Sequence, residues 1–243
     1  MMPEITCYAS NHTHSRVVCQ AFAKGYNGRI APPGRLLDGP AMVHGILRGC
    51  GEIVRECEWV GRDYFYTDHG YFKRGYYDGY FRVVRNGRHA SISGDYPQDR
   101  WEALKVPLRP WKRTGTHVVL CPISKYVGEF LRISHTKWTE AAVREISLHT
   151  ERPIIVKQKD GTPLKEALAD AWCLVTHSSN AAVDAILEGI PVVGLDHSAL
   201  RGVNWSLRDI ESPWWPEREP WCWQLAYRQF TLDEIRSGGV DLL

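Results

Sequence analysis

The chain has no long apolar run. None of its 243 residues lies in a stretch approaching the roughly 20 apolar positions that a membrane span requires. The opening segment, MMPEITCYASNHTH, has neither the basic flank nor the apolar core of a secretory leader, so the expectation is a cytoplasmic protein with no membrane partner. Paired cysteine spacing is missing too. Seven cysteines, an odd number, are scattered with no CxxC among them, and Cys7, Cys19, Cys121 and Cys173 lie inside apolar stretches. That pattern excludes a disulfide framework and a cysteine zinc site as leading readings, and fits buried thiols. An excess of one charge is also absent. Thirty basic and 28 acidic residues leave a formal charge of +2, too little for a protein coated in nucleic acid, although a net value can conceal a local patch. There is no repeat of short period.

What is abundant is tryptophan. Ten are present, and Trp214, Trp215, Trp221 and Trp223 crowd together near the carboxyl end, where such residues more often pack a core than stack a ligand. The length allows one large α/β domain or two small ones. In the first half, ITCYAS reads as a strand, SRVVCQAFAKGY as a helix and GRIAPPGRLLDGP as a Gly/Pro loop. AMVHGILRGCGEIVREC then reads as strand, tight turn and helix, and DYFYTDHGYF as an aromatic strand. GYFRVVRNGRH suggests a β-hairpin arm turning at Asn86-Gly87. Residues 94–113 carry three prolines and read as a linker. The second half alternates strands THVVLCPIS, RPIIVKQKDG, CLVTHSS and IPVVGLD with helices WTEAAVREISLHT (capped by Ser134 or Thr136), PLKEALADA and NAAVDAILEG, the last stopped by Gly189. Alternation with short loops predicts a parallel sheet covered on both faces. The expected domains are residues 1–110 and 111–243.

Three strand ends in the second half carry chemistry. THSSN places His177, Ser178, Ser179 and Asn180 at the mouth of a helix, where free N–H groups and the dipole favour an anion. A plain helix cap explains the same residues. PIIVKQKDG puts Lys157 and Lys159 on one face of a strand end, and CPISKY puts Ser124 and Lys125 at another. Ligands of open parallel sheets sit beyond such ends, and hydroxyls, lysines and helix mouths together suit a diphosphate. The competing reading is a set of solvated loop charges.

The run SSNAAVDAILEGIPVVG resembles the nucleotide-binding half of GT-B glycosyltransferases, particularly the capsule-polysaccharide and glycerophosphotransferase branch, over residues 115–200 or so. HGILRG, DYFYTDHGYF, YFRVVRNG and LAYRQFTLDEIRSG resemble small glycosyltransferase-like proteins of bacteriophages. The resemblance implies two Rossmann-like α/β domains facing a cleft, the first binding acceptor and the second binding donor. It also implies a nucleotide sugar such as UDP-glucose as co-substrate, with no other cofactor and no metal. Ser178, Ser179 and Asn180 would bind the donor diphosphate. Asp184 falls where many members carry a ribose-binding Glu; otherwise it is a polar residue on the outer helix face. A phage enzyme would act in the infected host's cytoplasm on a hydroxymethylated pyrimidine of double-stranded DNA.

Such a transferase needs a base for the acceptor hydroxyl. Asp68 in YTDHGYF is the best placed carboxylate, His69 beside it is a rival, and His44 in VHGILRG is a further candidate. Each also has a bland reading, Asp68 as a turn residue and His44 as a satisfied polar group. Residues 62–89 interleave Arg62, Lys73, Arg74, Arg82, Arg85 and Arg88 with nine Tyr or Phe. Basic groups neutralise phosphates and aromatic faces stack on bases, so Lys73, Arg74, Arg82, Arg85 and Arg88 are the expected DNA contacts. A twisted hairpin with one buried face has the same pattern. Trp111-Lys112-Arg113 could extend the positive surface. Two other readings stay open: transfer to a cell-envelope glycan or polyol phosphate, and a nucleic-acid-binding module without chemistry.

Overall fold

A computed structural model describes residues 3–91, 93–159, 161–212 and 214–241. The chain is mixed α/β and divides into two compact units. The first comprises the stretch up to Ala90, Tyr96–Leu104 and the stretch from Trp223 onward; the second comprises Ser91–Asp95 and Lys105–Cys222.

In the first unit the order is β1 (Ile5–Tyr8), α1 (Thr13–Gly25), β2 (Gly28–Ala31), β3 (Ala41–His44), α2 (Cys50–Val60), β4 (Tyr64–His69) and β5 (Phe81–Arg85). After α3 (Asp99–Leu104), the late segment contributes β10 (Gln229–Phe230) and α9 (Leu232–Arg236). The sheet runs β10-β5-β4-β3-β1-β2. β2, β1, β3 and β4 are parallel, whereas β5 and β10 are antiparallel additions. Helix α1 buries Val18, Cys19, Ala21 and Phe22 along one face, the spacing its sequence dictates. These side chains join Ile5, Met42, Phe65 and Phe81 in the core.

Three local expectations need correcting here. The Gly/Pro stretch begins with β2, an edge strand whose four residues pair with β1. The hairpin joins β4 to β5 and turns through residues 70–80, not at Asn86-Gly87. Asn86 instead ends the ladder, since its side-chain oxygen accepts from the Tyr64 N–H at 2.9 Å. The stretch from Trp223 onward, expected within the second domain, packs with the first unit because Phe230, Leu232, Ile235 and Val240 complete that core. A helix, α3, also occupies the expected linker. Its Arg100 hydrogen-bonds the Ala226 and Gln229 carbonyls and pairs with Glu234, holding the late segment in place.

The second unit runs β6 (His117–Cys121), α4 (Lys125–Leu131), α5 (His135–Ser147), β7 (Ile154–Val156), α6 (Leu164–Ala167), β8 (Ala171–Thr176), α7 (Ala181–Leu187) and β9 (Val192–Gly194). Its sheet, ordered β7-β6-β8-β9, is parallel throughout. β8 is buried at all six positions, which explains its unbroken apolar sequence. Helix α5 is capped by Ser134, whose oxygen accepts from the Lys137 N–H. Helix α8 (Glu219–Ala226) follows. All seven cysteines are buried and free. Among the described residues, no helix is long and apolar enough to cross a membrane.

The parallel strands of both sheets follow one plan. Counted within each unit, the order is second, first, third, fourth. The direction of winding therefore reverses between β1 and β3 in one unit and between β6 and β8 in the other. Ligands of open α/β sheets bind beyond the carboxyl ends of strands at such a reversal.

Candidate active site

At the first unit's reversal the strand ends deliver imidazoles. β3 ends in His44, β4 ends in Asp68 and His69, and the loop after β1 leads into α1, which carries His14 in its first turn. The His14 ring lies 4.7 Å from that of His44 and 5.4 Å from that of His69, centroid to centroid. His12, the residue preceding α1, is 6.5 Å from His14 and provides no side-chain cap. Phe81 lies against His14, His44 and His69. His14 is 4% exposed, and its Nε2, like Nδ1 of His69, is buried without a hydrogen-bond partner among the described residues.

The proton positions on His44 follow from its neighbour. Thr67 donates its hydroxyl proton to the Val43 carbonyl at 3.1 Å, while His44 Nδ1 sits 3.0 Å from the same hydroxyl oxygen. With the hydroxyl proton already committed, Nδ1 must be the donor, and Nε2 carries the lone pair. Burial lowers the His44 pKa to about 3, despite the nearby Asp68 charge, so this ring is neutral at physiological pH. Burial also lowers His14, as does His69, while the main chain of Tyr76 hydrogen-bonds the ring and favours its charged form.

Asp68 is held on every side. Its Oδ2 accepts from the Tyr66 hydroxyl at 2.8 Å and from Arg82 Nη2 at 3.0 Å, and its Oδ1 accepts from the His69 N–H at 2.8 Å. Strand geometry explains this. Tyr66 and Asp68 are two apart and share a face, while Arg82 is the cross-strand partner of Asp68. Burial pushes the Asp68 carboxyl up, but Arg82, His44 and the two hydrogen-bond donors together hold it below the usual carboxylate value. Both oxygens being occupied, Asp68 is a weak base in this setting.

The arm expected to contact DNA is internal at Arg82 and at most of its aromatic rings. Arg82 is 5% exposed; besides Asp68 it donates to the His69 and Arg88 carbonyls and lies over Tyr66 and Tyr71. Arg85 pairs with Asp63. Tyr64, Phe65, Tyr66, Tyr71, Phe72 and Phe81 are buried. The alternation is the buried face of a hairpin, not a stacking track. Lys73 and Arg74 are exposed on the β4–β5 loop, and Arg88 is half-buried. Trp111-Lys112-Arg113 is likewise engaged: Lys112 bonds the Leu168 and Ala169 carbonyls, while Arg113 and Trp111 lie against Trp215.

In the second unit, Ser124 caps α4 by accepting from the Val127 N–H at 3.2 Å, and Ser179 accepts from the Ala181 N–H at 3.2 Å. Each hydroxyl keeps its own proton for a further bond. His177 is buried, 3.0 Å from the Ser178 hydroxyl and edge-on to Trp138. Asn180 is the N-cap of α7, and Asp184 lies in its first turn. Burial raises the Cys121 thiol to about 11, with Lys157 lowering it and Asp184 raising it. The end of β6 thus lies within the fields of both charges. Lys157 donates to the Gln158 carbonyl at 2.6 Å, and Lys159 is exposed on the same loop. Lys125 instead lines a concavity with Arg132 and His135, whose Nδ1 donates to the Ile123 carbonyl.

No family model matches the chain, and no curated protein matches it. Solved structures similar to it include two transferase structures. One is the beta Kdo 2,4 transferase of Thermosulfurimonas dismutans KpsC, 9% identical, with a TM-score of 0.45 over 85% of this chain and 88% of that chain. The other is the beta Kdo 2,7 transferase of the same protein, 11% identical, with a TM-score of 0.47 over 86% and 88%.

The structure thus brings together His44, Asp68 and His69 in the first unit. Two residues of this cluster escaped sequence reasoning: His14 and His12. Their signal was present in NHTH, which stands just past the first strand as Asp68 and His69 stand at the end of the fourth. Arg82 was noticed as a charge for a ligand, but its partner is Asp68.

Proposed function

We propose that this protein is a nucleotide-sugar-dependent glycosyltransferase. In this reading the second unit holds the donor diphosphate at the ends of β6, β7 and β8 through Ser178, Ser179, Asn180 and Lys157, with Lys159, Lys125, Ser124 and His177 around them and Asp184 toward the ribose. The first unit holds the acceptor hydroxyl among His14, His44 and His69. The observation that carries the reading is the imidazole cluster at the first unit's winding reversal, with the His44 lone pair fixed on Nε2.

The acceptor oxygen attacks the sugar's anomeric carbon. The bond from that carbon to the diphosphate oxygen breaks, and its electron pair leaves with the nucleotide. The hydroxyl proton passes to an imidazole. His14 is assigned as that imidazole, because its Nε2 is without a hydrogen-bond partner among the described residues. His44 Nε2 accepts from a neighbouring hydroxyl of the same acceptor and so orients it, and the fixed Asp68 charge favours the imidazolium of His14 as it forms.

A glycan or polyol acceptor is favoured over DNA, because Arg82 and most of the rings expected to grip DNA are taken up inside the β4–β5 hairpin and Arg85 is paired with Asp63, although Lys73 and Arg74 are exposed on its loop. Incubation with a panel of nucleotide sugars and acceptors, including hydroxymethylated DNA, tests the reading. Nucleotide release with a matching acceptor mass gain is expected, and His14→Gln should lower kcat by about 10²–10⁴ with donor KM unchanged. Absence of release with every donor would remove the enzyme assignment. A mass gain on the DNA alone would restore the nucleic-acid acceptor.

A further inference from the structure

The β4–β5 connection is longer than a hairpin needs, and it is built to a defined shape. The Gln229 side-chain oxygen accepts from the Tyr71 and Phe72 N–H groups, both at 2.8 Å, and fixes the root of the loop. Gly70 N–H donates to the Tyr80 carbonyl at 2.6 Å, and Tyr80 N–H to the Lys73 carbonyl at 3.2 Å. At the tip, Gly75 and Gly79 pass so closely that a Cβ on Gly79 would lie 2.0 Å from the Gly75 nitrogen.

This scaffold presents two rings to solvent. Tyr76 is 59% exposed and Tyr77 is 53% exposed, in a hairpin whose other aromatic side chains are mostly buried. Both stand beside the imidazoles. Tyr76 is 4.8 Å from His14 and 5.7 Å from His69, and Tyr77 is 5.7 Å from His14, centroid to centroid. The two tyrosine rings are 6.3 Å apart.

We propose that Tyr76 and Tyr77 form the platform on which a pyranose ring of the acceptor rests, placing one of its hydroxyls at the imidazole cluster. The proposal rests on the glycosyltransferase reading and names its acceptor class: a neutral, ring-bearing glycan. A pyranose face carries C–H groups that meet the negative face of an aromatic ring, while its rim carries hydroxyls that imidazoles can accept from or donate to. A nucleic acid strand would stack on the same rings. It would also need cations for its phosphates; the strand flanking the platform keeps Arg82 and Arg85 in ion pairs, whereas Lys73 and Arg74 are exposed on the same loop, so the oligonucleotide arm of the test decides between the two ligands.

The test separates binding from turnover. Saturation-transfer NMR with methyl pyranosides and linear trisaccharides should show contact at ring C–H protons in the parent. The contact should disappear in the Tyr76→Ala, Tyr77→Ala double variant. It should persist in Tyr76→Phe, which keeps the ring, and in Trp59→Ala, which removes an 89% exposed ring elsewhere in the unit. In a transfer assay each alanine should raise acceptor KM about three- to tenfold, with donor KM unmoved. Pyranoside contact equal in the parent and the double variant, or contact seen in neither, overturns the platform. Tyr76-dependent contact with a short single-stranded oligonucleotide and none with the sugars overturns the sugar assignment. Tyr76-dependent sugar contact without nucleotide release from any donor leaves the platform standing and removes the transferase reading.

Discussion

Arg82 shows how differently one residue reads in sequence and in space. Among RGYYDGYFRVVRNGRH it is one more cation beside aromatic rings, the composition of a nucleic-acid surface. In the folded unit it is nearly sealed, and Asp68 depends on it. Replacing it with methionine would strand the Asp68 carboxylate among buried groups. A loss of about 3 kcal/mol in denaturant unfolding is expected, the lower end for a broken buried pair because Asp68 keeps some solvent contact. A variant of unchanged stability would contradict the assignment. Sequence could show that Asp68 and Arg82 were both present, but not that strand register set them opposite each other.

The neutral imidazoles leave a mark on stability. His44 has a pKa near 3 when folded against an ordinary 6.5 when unfolded. Between those values the unfolded chain binds a proton that the folded chain refuses, so stability falls as pH falls from about 6.5 toward 3. The slope from this group is at most about 1.4 kcal/mol per pH unit, and the lowered His14 adds to it with the same sign. Unfolding free energies at pH 7 and pH 5 should therefore differ, and His44→Gln should narrow the gap by roughly 2 kcal/mol. An equal gap in the variant would mean that His44 is not held neutral by the fold.

At the scale of elements, the second unit was the more legible. Its strands β6, β8 and β9 are almost wholly buried, so their apolar runs are continuous, and its helices are closely spaced, with α4 and α5 capped by Ser124 and Ser134. The first unit defeated the same reasoning wherever a strand lay at an edge or paired far along the chain. β2 was hidden in a Gly/Pro stretch, and β10 has only two residues. The β4–β5 loop was legible as tyrosine-rich, but its shape depends on a glutamine far away in the chain. Gly79→Ala tests that shape. The added methyl meets the Gly75 backbone, so the tip must move. The expected outcome is weakened pyranoside contact with a global unfolding free energy that falls by only about 1 kcal/mol, since the loop buries little of the core. Unaltered contact would show that the rings need no fixed loop.

At the scale of the molecule, two sheets of the same winding order are built by one chain that leaves the first unit and later returns to it. Ile235 is fully buried in the core of the first unit. Ile235→Ala should cost about 2–5 kcal/mol there and leave the second unit's melting untouched, which calorimetry would show as one transition moving and one holding still. A common shift of both would indicate that the units unfold together.

The return of the chain also sets an order of assembly during synthesis. The second unit is complete in sequence once Cys222 has been made, whereas the first, begun earlier, lacks the Phe230, Leu232 and Ile235 of its core and the glutamine that pins its tyrosine loop. On the ribosome, the half that starts first finishes last. Its imidazoles lie on elements available early, but the loop carrying Tyr76 and Tyr77 takes its anchored form only when the late segment arrives.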